Sequence, residues 1–415
     1  MINNYIKLAL KVLARRKFFT FISLFGISLT LVVLMVATAI LDNGFAPRAP
    51  ESRFDRTLVV YTVGVYGGNY GTTGSPGYGF VDKYVRGLPS AEAVSAFSGW
   101  SIVNMYHRGE KIETHIKRTD GAYWRILDFR FVEGGPFTQL DDDRTSFVAV
   151  ITSDLRQKLF GGASAIGKTI EVDGQRFRVV GVVPPVPITR FAAFSEIWVP
   201  NKTQKRSGWE QQTVGQYNAM VLARSRADFP RLRSEFNERL AHFVFEDPKH
   251  YNTVIAALDT PFEAFARSVI PVKDRATSPP APKVRAILLA MALLFITLPT
   301  MNLVSINLSR IMERASEIGV RKAFGASSRT LVAQFVAENI VLTAIGGVIG
   351  FVLSVIALEA LGHTKLIPYA IFDVNIRIFL YGMLVAVLFG AISGVYPAWR
   401  MSRMHAVDAL RGGAK

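Results

Sequence analysis

The sequence contains no cysteine, so disulfide bonds, thiolate metal sites and cysteine nucleophiles are excluded. Its six histidines lack the spacing of a zinc site, and no Gly-x-Ser-x-Gly elbow or carboxylate pair of recognisable spacing marks a hydrolase. The run Asp141-Asp142-Asp143 lacks the spacing of a calcium-binding loop, so we predict a solvated turn there. The residues alone therefore predict no catalytic residue, no metal site and no enzyme.

Charged residues are also scarce, because they make up only 19% of the 415 residues, and the mean hydropathy is +0.26. The scarcity is local: four windows contain no aspartate, glutamate, lysine or arginine, namely residues 18–41, 286–309, 339–358 and 378–399. At about 1.5 Å per residue, a helix over each window spans a hydrocarbon core of about 30 Å. We therefore predict four transmembrane helices, which excludes a wholly soluble protein.

The net charge of +16 is concentrated beside these windows. Residues 1–17, 310–338 and 400–415 together hold fourteen basic and four acidic residues. Because lysine and arginine next to a span favour the cytoplasmic side, we predict cytoplasmic termini and a cytoplasmic 310–338 loop. Residues 42–285 and the short loop 359–377 are then outside. The charge pattern indicates membrane topology and does not predict nucleic acid as a partner.

The N-terminal 17 residues have apolar and basic positions at helical spacing, which predicts a cytoplasmic amphipathic helix at the interface. A plain basic flank to the first span is the alternative. The first window is longer than the 7–15 apolar residues of a signal peptide, which favours a retained anchor over a cleaved signal.

The outside segment alternates strand-like and helix-like stretches, which predicts a large α+β domain inserted between the first and second transmembrane helices of an α-helical membrane protein. An Asp-Gly turn at 173–174 predicts a hairpin. The predicted elements are strands at 57–63, 146–152, 169–172 and 176–183, a helix at 154–160, an amphipathic helix beginning near Pro230, a glycine-rich mobile loop at 64–79 and a linker at 271–285.

Residues 162–169, Gly-Ala-Ser-Ala-Ile-Gly-Lys-Thr, match the phosphate-binding P-loop pattern. That chemistry needs a strand before the loop and a helix after it, so that backbone N–H groups and the helix dipole meet at the phosphate. Here a predicted helix precedes the loop and a predicted strand follows it. We therefore interpret the segment as a loop leading into a hairpin, not as a nucleotide site.

Small residues recur at helical spacing in the third and fourth windows. They allow helix backbones to approach closely in lipid, and packing within one subunit is favoured over packing between subunits. The predicted helix-packing residues are Gly346, Gly350, Gly382, Ala386, Gly390 and Gly394. No window carries an ionisable residue of the kind that marks a proton or ion pathway, which argues against an ion-driven transporter.

The cytoplasmic loop contains Met-Glu-Arg-Ala-Ser-Glu-Ile-Gly-Val-Arg-Lys-Ala-Phe-Gly-Ala-Ser at residues 312–327. Gly325 is placed to end a helix, and Ser327 or Ser328 to cap the helix entering the third window. Glu317 and Arg321 lie four residues apart in the order that favours a side-chain pair. The pattern predicts a short helix at the cytoplasmic membrane face.

This stretch resembles the signature of the FtsX-like permease family of ABC systems, in particular the macrolide-exporter (MacB-type) permeases. The outside domain is similar in kind and order to their periplasmic core domain. The similar stretches are Val-Glu-Gly-Gly-Pro-Phe at 132–137, Leu-Phe-Gly at 159–161, Ile-Gly-Lys at 166–168 and Val-Val-Gly-Val-Val at 179–183. Ala406 departs from the family, which usually has proline at that position of the tail.

The resemblance implies a bacterial inner-membrane permease that pairs with a second permease, identical or different, and transmits ATP-driven motion to its periplasmic domain. Macrolide exporters carry a fused ATPase, whereas 17 residues precede the first window here, so a separate ABC ATPase is implied, with ATP and Mg on that partner and no cofactor on this chain. The residues implied in ATPase coupling are Glu313, Arg314, Glu317, Ile318, Gly319, Arg321, Lys322 and Gly325.

Three functions remain open from the sequence. The first is export or extraction of a periplasmic substrate, with a periplasmic adaptor and an outer-membrane protein as candidate partners beside the membrane lipids. The second is an FtsX-like regulator of a cell-wall hydrolase, or a signal relay across the membrane. The third is a stand-alone receptor with a ligand-binding outside domain, which would need no ATPase.

Overall fold

The computed structural model describes residues 11, 13–15, 17–107, 109–270, 279–313, 327–364, 369, 372 and 374–402. The chain divides into two compact units. The helical unit contains the helical residues before 43 and after 285, and the sheet unit is built from residues 43–285. Most of the predicted amphipathic helix at 1–17, and residues 271–278 of the predicted linker, lie outside the described residues.

The helices are numbered here in chain order. They are α1 (Lys17–Phe45), α2 (Tyr78–Phe80, continued by a π turn over Val81–Val85), α3 (Gly121–Ile126), α4 (Gln139–Asp143), α5 (Ser153–Phe160), α6 (Phe229–Ala241), α7 (Pro261–Val269), α8 (Ala281–Glu313), α9 (Ser328–His363) and α10 (Ile376–Ser402). Four of them, α1, α8, α9 and α10, coincide with the uncharged windows. By length and composition, α1 and the Val336–His363 part of α9 are able to cross a membrane. The count of four spans stays a prediction.

The strands of the sheet unit form two sheets. They are β1 (Thr57–Val60), β2 (Val63–Gly67), β3 (Tyr70–Pro76), β4 (Ala91–Ser98), β5 (Ser101–His107), β6 (Glu110–Thr119), β7 (Glu133–Gly134), β8 (Val148–Thr152), β9 (Thr169–Val172), β10 (Gln175–Val183), β11 (Ile197–Pro200), β12 (Val214–Gly215), β13 (Tyr217–Ala223) and β14 (Thr253–Ala256). The larger sheet has the order β1-β13-β4-β6-β11-β8-β10-β9-β5, with β7 on β10, and the smaller has the order β12-β3-β2-β14.

Part of the larger sheet closes on itself. Strand β5 pairs with both β9 and β6, so β6, β11, β8, β10, β9 and β5 form a ring. The pairs β10–β8 and β11–β6 are parallel, and the other pairs in the ring are antiparallel. The ring encloses an apolar cluster that includes Ile151, Phe177 and Val199, each fully buried. Closing a sheet in this way removes its exposed edges.

Strand β13 separates two other apolar clusters. Ala219, Val221 and Ala223 belong to one cluster, whereas Met220 and Leu222 belong to the other. Successive side chains of a strand point to opposite faces, so a strand covered on both faces is apolar at every position. This explains why all seven residues of β13 are buried.

Two local predictions are confirmed. Strands β9 and β10 form the predicted hairpin, and Asp173 and Gly174 both have positive φ angles, 51° and 65°, as a two-residue turn of this kind requires. Helix α6 begins one residue before Pro230 and buries Leu232 and Phe236 on the predicted apolar face. Both predictions depended on sequence-local signals.

The predicted mobile loop at 64–79 is wrong, because most of this segment forms the antiparallel hairpin of β2 and β3. Glycine disfavours strands chiefly because it has no side chain to pack. Here the ring of Tyr66 supplies the packing: a Cβ atom on Gly64 or Gly71 would lie 2.6 or 2.7 Å from that ring. The glycines therefore make room for a tyrosine that covers the strands.

The predicted solvated turn at Asp141-Asp142-Asp143 is also wrong. These residues belong to α4, which Thr138 and Asp141 start with a capping box. The carboxylate of Asp142 is fully buried and accepts a hydrogen bond from the Lys202 N–H at 2.9 Å. Burial raises the pKa of Asp142 to about 6. The run is thus a capped helix with one structural carboxylate.

Candidate functional site

The residues predicted to couple to an ATPase fall almost entirely outside the described part of the chain. Glu313 is the last residue of α8. Described structure resumes at Ser327, whose Oγ accepts a hydrogen bond from the Thr330 N–H at 3.2 Å and so caps α9, as predicted. Outside the described residues lie Arg314, Glu317, Ile318, Gly319, Arg321, Lys322 and Gly325.

Two of the predicted helix-packing glycines lie where α9 contacts α1 inside the helical unit. A Cβ atom on Gly346 would lie 2.9 Å from Ile27, and one on Gly350 would lie 3.1 Å from Leu31. Between them, Ser28 Oγ donates a hydrogen bond to the carbonyl oxygen of Gly346 at 2.9 Å. The two backbones therefore approach so closely that larger residues do not fit without a shift.

Helix α10 also contacts α1 through a small residue. A Cβ atom on Gly382 would lie 2.9 Å from Leu34 and 3.3 Å from Leu31. Ala386 follows one turn later and is half-buried. Gly390 and Gly394 lie further along α10. The contacts to α1 thus come from small residues of both α9 and α10.

Within the sheet unit, two buried ion pairs involve the segment that follows α1 and the segment that lies before α8 in sequence. We call residues 43–57 and 259–270 the base segments. Glu51 accepts a hydrogen bond from Arg190 Nη1 at 3.1 Å, and both side chains are at most 3% exposed. Asp259 accepts hydrogen bonds from Arg267 Nε at 2.7 Å and Nη2 at 3.3 Å. The first base segment therefore contains one residue of a buried pair, Glu51, and the second contains both residues of the other pair.

Backbone hydrogen bonds and aromatic packing join the two base segments to the sheet and to each other. Val59 of β1 and Asp259 exchange both backbone hydrogen bonds, at 2.7 and 3.0 Å. Phe45, at the end of α1, packs against Phe262 and Phe265 of α7, with ring centroids 5.4 and 5.0 Å apart. The chain leaving α1 is thus fastened to the helix that precedes α8 in sequence.

Burial controls the ionisation of these groups. It raises the pKa of Glu51 against the opposing influence of Arg190, and raises the pKa of Asp259 against that of Arg267. Nearby, Lys117 Nζ donates hydrogen bonds to the carbonyl oxygens of Phe191 and Ala192 at 2.8 and 2.7 Å. Burial lowers the pKa of Lys117 to about 7, although Glu51 opposes this shift. We call the base segments and the side chains packed against them the base. The base is therefore a sparsely solvated site whose two carboxylates are held in ion pairs.

A cavity of about 410 Å³ is lined by all four members of the two ion pairs. Its other walls are mainly aromatic and small residues, among them Phe45, Phe54, Tyr61, Phe191 and Asn218. No group of three metal-ligating side chains is found among the residues that the structure describes. This cavity is suited to binding a small molecule, not to acid–base chemistry, because its carboxylates are engaged by arginines.

The segment with the P-loop pattern binds a carboxylate of the same chain, that of Glu133. Ser164 Oγ and the Ala165 N–H donate hydrogen bonds to the Glu133 carboxylate at 2.9 and 3.3 Å. The Lys168 ammonium lies 4.6 Å from the centroid of the Phe160 ring. Helix α5 precedes the loop and β9 follows it, as predicted. The pattern therefore has a structural role, in tying β7 to the ring of strands.

Two family models match the chain in succession. The model for the MacB-like periplasmic core domain matches residues 20–239, which is more than half of the chain, and the model for the FtsX-like permease C-terminal region matches residues 289–406. The chain belongs to the MacB-type family of FtsX-like ABC transporter permeases. The family resemblance inferred from the coupling and core-domain stretches is confirmed.

Curated relatives of this MacB-type permease include a macrolide export ATP-binding/permease protein MacB from Bdellovibrio bacteriovorus, 28% identical over 72% of this chain and 44% of the relative. The chain thus spans less than half of that relative's length. An uncharacterized ABC transporter permease, YvrN, from Bacillus subtilis is 26% identical over 79% of this chain and 78% of the relative. The crystal structure of the periplasmic region of MacB from Actinobacillus actinomycetemcomitans aligns with a TM-score of 0.31 at 15% identity, covering 51% of this chain and 94% of that chain.

Sequence reasoning missed the ion pairs of the base. Glu51 and Arg190 are 139 residues apart, so no local pattern connects them. A signal for α7 was present: Thr260-Pro261-Phe262-Glu263 combines a capping-box pattern with a proline in the first turn. That signal predicts helix α7 but not the residues it contacts, because those contacts are determined by the folded sheet.

Proposed function

We propose that this chain is the permease subunit of an ABC transporter for export or extraction of a periplasmic substrate. In this proposal α1, α8, α9 and α10 span the bacterial inner membrane, both termini are cytoplasmic, and the sheet unit is periplasmic. A separate ABC ATPase hydrolyses ATP, and the permease, paired with a second permease, transmits the resulting motion. A periplasmic adaptor and an outer-membrane protein complete the system.

The observation that carries this proposal is the order of the two family matches on one chain. A periplasmic core domain is followed by an FtsX-like permease region. The relatives' names agree, since they describe ABC permeases and macrolide or pyoverdine export proteins. Fold alone does not identify a substrate, so the transported molecule stays open.

The base of the sheet unit supports a mechanical role. A transmitted force needs a stiff connection between the moving helices and the domain that receives the motion. The first base segment follows α1 and is held to the rest of the sheet unit by the buried pair Glu51–Arg190. The second lies before α8 in sequence; the pair Asp259–Arg267 braces it internally, and the backbone hydrogen bonds between Asp259 and Val59 join it to β1. In the proposal these pairs and the Phe45 contacts carry motion into the sheet instead of letting the chain flex.

The coupling helix provides the other end of the proposed path. In the proposal, polar contacts of Glu317, Arg321 and Lys322 with the ATPase receive the motion, and Glu313 and Arg314 belong to the same coupling stretch. Ile318 and Gly319 belong to the same proposed coupling stretch, and Gly325 sets the turn in this proposal. On this account a charge reversal at Glu317 interrupts coupling without touching the sheet unit.

The first test identifies the partners. The full chain is purified from native membranes with the proteins bound to it. We expect an ABC ATPase among them, together with a periplasmic adaptor if the system exports. A bound cell-wall hydrolase in place of an adaptor would favour the regulatory function, and the absence of any ABC ATPase would contradict the proposal.

The second test measures coupling in nanodiscs containing the permease and its ATPase. Glu317→Lys is expected to lower ATP hydrolysis to the rate of the ATPase alone, because it reverses a charge at the proposed contact. Glu110→Lys, an exposed residue of the sheet unit, is the matched control and is expected to keep the stimulation. Stimulation that survives Glu317→Lys would refute the coupling assignment.

A further inference from the structure

The side chain of Asn218 is buried without a hydrogen-bond partner. It lies on β13, is 1% exposed, and neither its Nδ2 nor its Oδ1 atom has a partner among the described residues. Its register neighbour on β4 is Phe97, whose ring contacts Tyr61 with centroids 6.4 Å apart. Buried polar groups in native proteins are nearly always paired, so this unpaired amide requires an explanation.

This amide is part of the lining of the 410 Å³ cavity. The cavity lining therefore includes one residue whose side-chain donor and acceptor are both buried and both without a partner among the described residues. A molecule in the cavity that offers one acceptor and one donor in the same group would satisfy both atoms. Amide and sulfonamide groups have this property.

The charges of the lining point to a neutral molecule. The two carboxylates, Glu51 and Asp259, are paired with the two guanidinium groups, Arg190 and Arg267, so the formal charges of the lining sum to zero. A charged ligand would lose its hydration without gaining a counterion that is not already engaged. Neutral ligands avoid that cost.

The remaining walls favour an apolar body. Phe45, Phe54 and Tyr61 line the cavity together with Phe191 and Phe265. Phe191 and Phe265 are 39 and 37% exposed, so they connect the cavity with the surface. Aromatic walls beside a few oriented polar groups are typical of small-molecule sites.

We propose that this cavity is a binding site for a small neutral amphiphile whose apolar body packs on the aromatic walls and whose amide-like group is hydrogen-bonded to Asn218. The site is formed by the sheet unit alone. It goes beyond the proposed function, because binding there requires neither an ATPase nor transport.

The test uses the full chain in nanodiscs and dansylamide as the probe. Dansylamide is neutral, its sulfonamide both donates and accepts hydrogen bonds, and its naphthalene fluorescence increases in apolar surroundings. We expect saturable fluorescence enhancement above that of empty nanodiscs. The anionic dansylsulfonate, with the same ring system, is expected to give no saturable signal. Equal signals from chain-containing and empty nanodiscs would overturn the proposal.

Two variants locate the binding. Asn218→Leu keeps the volume and removes the amide, and we expect dansylamide affinity to fall about tenfold, the effect of losing the hydrogen bonds of one amide. Ala264→Phe fills the cavity from α7 and is expected to abolish saturation. Ala241→Phe, an exposed position at the end of α6, is the matched control and is expected to bind as the wild type does.

The outcomes are separable from misfolding and from failure of the permease proposal. Circular dichroism melting shows whether each variant folds. If Asn218→Leu does not fold, the binding result of Ala264→Phe decides whether the probe occupies this cavity. Unchanged affinity in a folded Asn218→Leu chain would overturn the assignment to this cavity, as would equal loss in Ala241→Phe. No ATPase is present, so loss of coupling in other experiments does not affect this result.

Discussion

The ring of strands and the base differ in what they bury, although both belong to the sheet unit. The ring encloses a cluster of apolar side chains, among them Ile151, Phe177 and Val199. The base buries two ion pairs and the Asn218 amide, which has no hydrogen-bond partner among the described residues, around a cavity. Lys117, on the ring strand β6, is buried next to it and donates hydrogen bonds to the carbonyl oxygens of Phe191 and Ala192. Burying apolar side chains stabilises a fold without the desolvation free energy that burying charges costs. The comparison indicates that the ring maintains the fold, and that the base keeps polar groups for another purpose.

The ring is expected to give the largest loss of stability on truncation. Phe177→Ala removes a fully buried phenyl group from the apolar cluster inside the ring of strands. It should lower the free energy of unfolding by about 4 kcal/mol, because apolar burial is lost and a cavity is left. The measurement is chemical unfolding of the chain in nanodiscs, followed by tryptophan fluorescence. Phe147 contacts Phe177 but is 44% exposed, so Phe147→Ala is the matched control, with a loss below about 1 kcal/mol. Equal losses would show that the ring interior does not dominate stability.

In the base, replacing one residue of a buried ion pair is expected to destabilise the fold, whereas replacing both residues with apolar ones is expected to be tolerated. Arg190→Met leaves the Glu51 carboxylate buried without its partner and should cost about 3 kcal/mol in the same unfolding measurement. The double variant Glu51→Leu with Arg190→Met should recover most of that loss, since no buried charge remains. If the double variant is as unstable as Arg190→Met, the pair stabilises the fold directly and the contrast with the ring fails.

A smaller, pH-dependent effect is expected from Lys117. Burial lowers its pKa to about 7 in the folded chain, from 10.5 for an ordinary lysine. Between these pH values the unfolded chain binds a proton that the folded chain lacks, so the free energy of unfolding rises with pH. Lys117 should contribute a slope of about 1 kcal/mol per pH unit from pH 7 to 10, and its contribution should vanish below pH 7.

Lys117→Met removes that titration and provides the control. The difference in unfolding free energy between wild type and Lys117→Met should shrink as the pH is raised from 7 to 10, because removing the proton of the unfolded lysine on folding costs less as the pH rises. Parallel pH profiles for the two proteins would show that Lys117 keeps its ordinary pKa when folded.

The sequence predicted the elements whose signals are local. The Asp173-Gly174 turn, the apolar face of α6 with Leu232 and Phe236, and the cap at Ser327 each depend on residues within a few positions of one another. The family resemblance likewise came from short contiguous stretches. Such features are determined before the chain folds, so a sequence pattern reveals them.

The features that sequence reasoning missed depend on distant contacts. The glycine-rich hairpin of β2 and β3 exists because Tyr66 covers Gly64 and Gly71, which only strand register brings together. Asp142 is buried because the segment around Lys202 returns to cover α4. The base pair Glu51–Arg190 joins positions far apart in sequence. Tertiary packing therefore overrode composition at these places.

The most direct test of the permease account is the side of the membrane on which each part lies. The chain has no cysteine, so single-cysteine variants need no background changes. Glu110→Cys is exposed in the sheet unit, and Ser316→Cys lies in the proposed coupling loop. With a membrane-impermeant maleimide on cells whose outer layers admit the reagent but whose inner membrane is intact, we expect labelling of Glu110→Cys alone, and labelling of Ser316→Cys only after the inner membrane is opened. Labelling of both variants, or of neither, in intact cells would contradict the account.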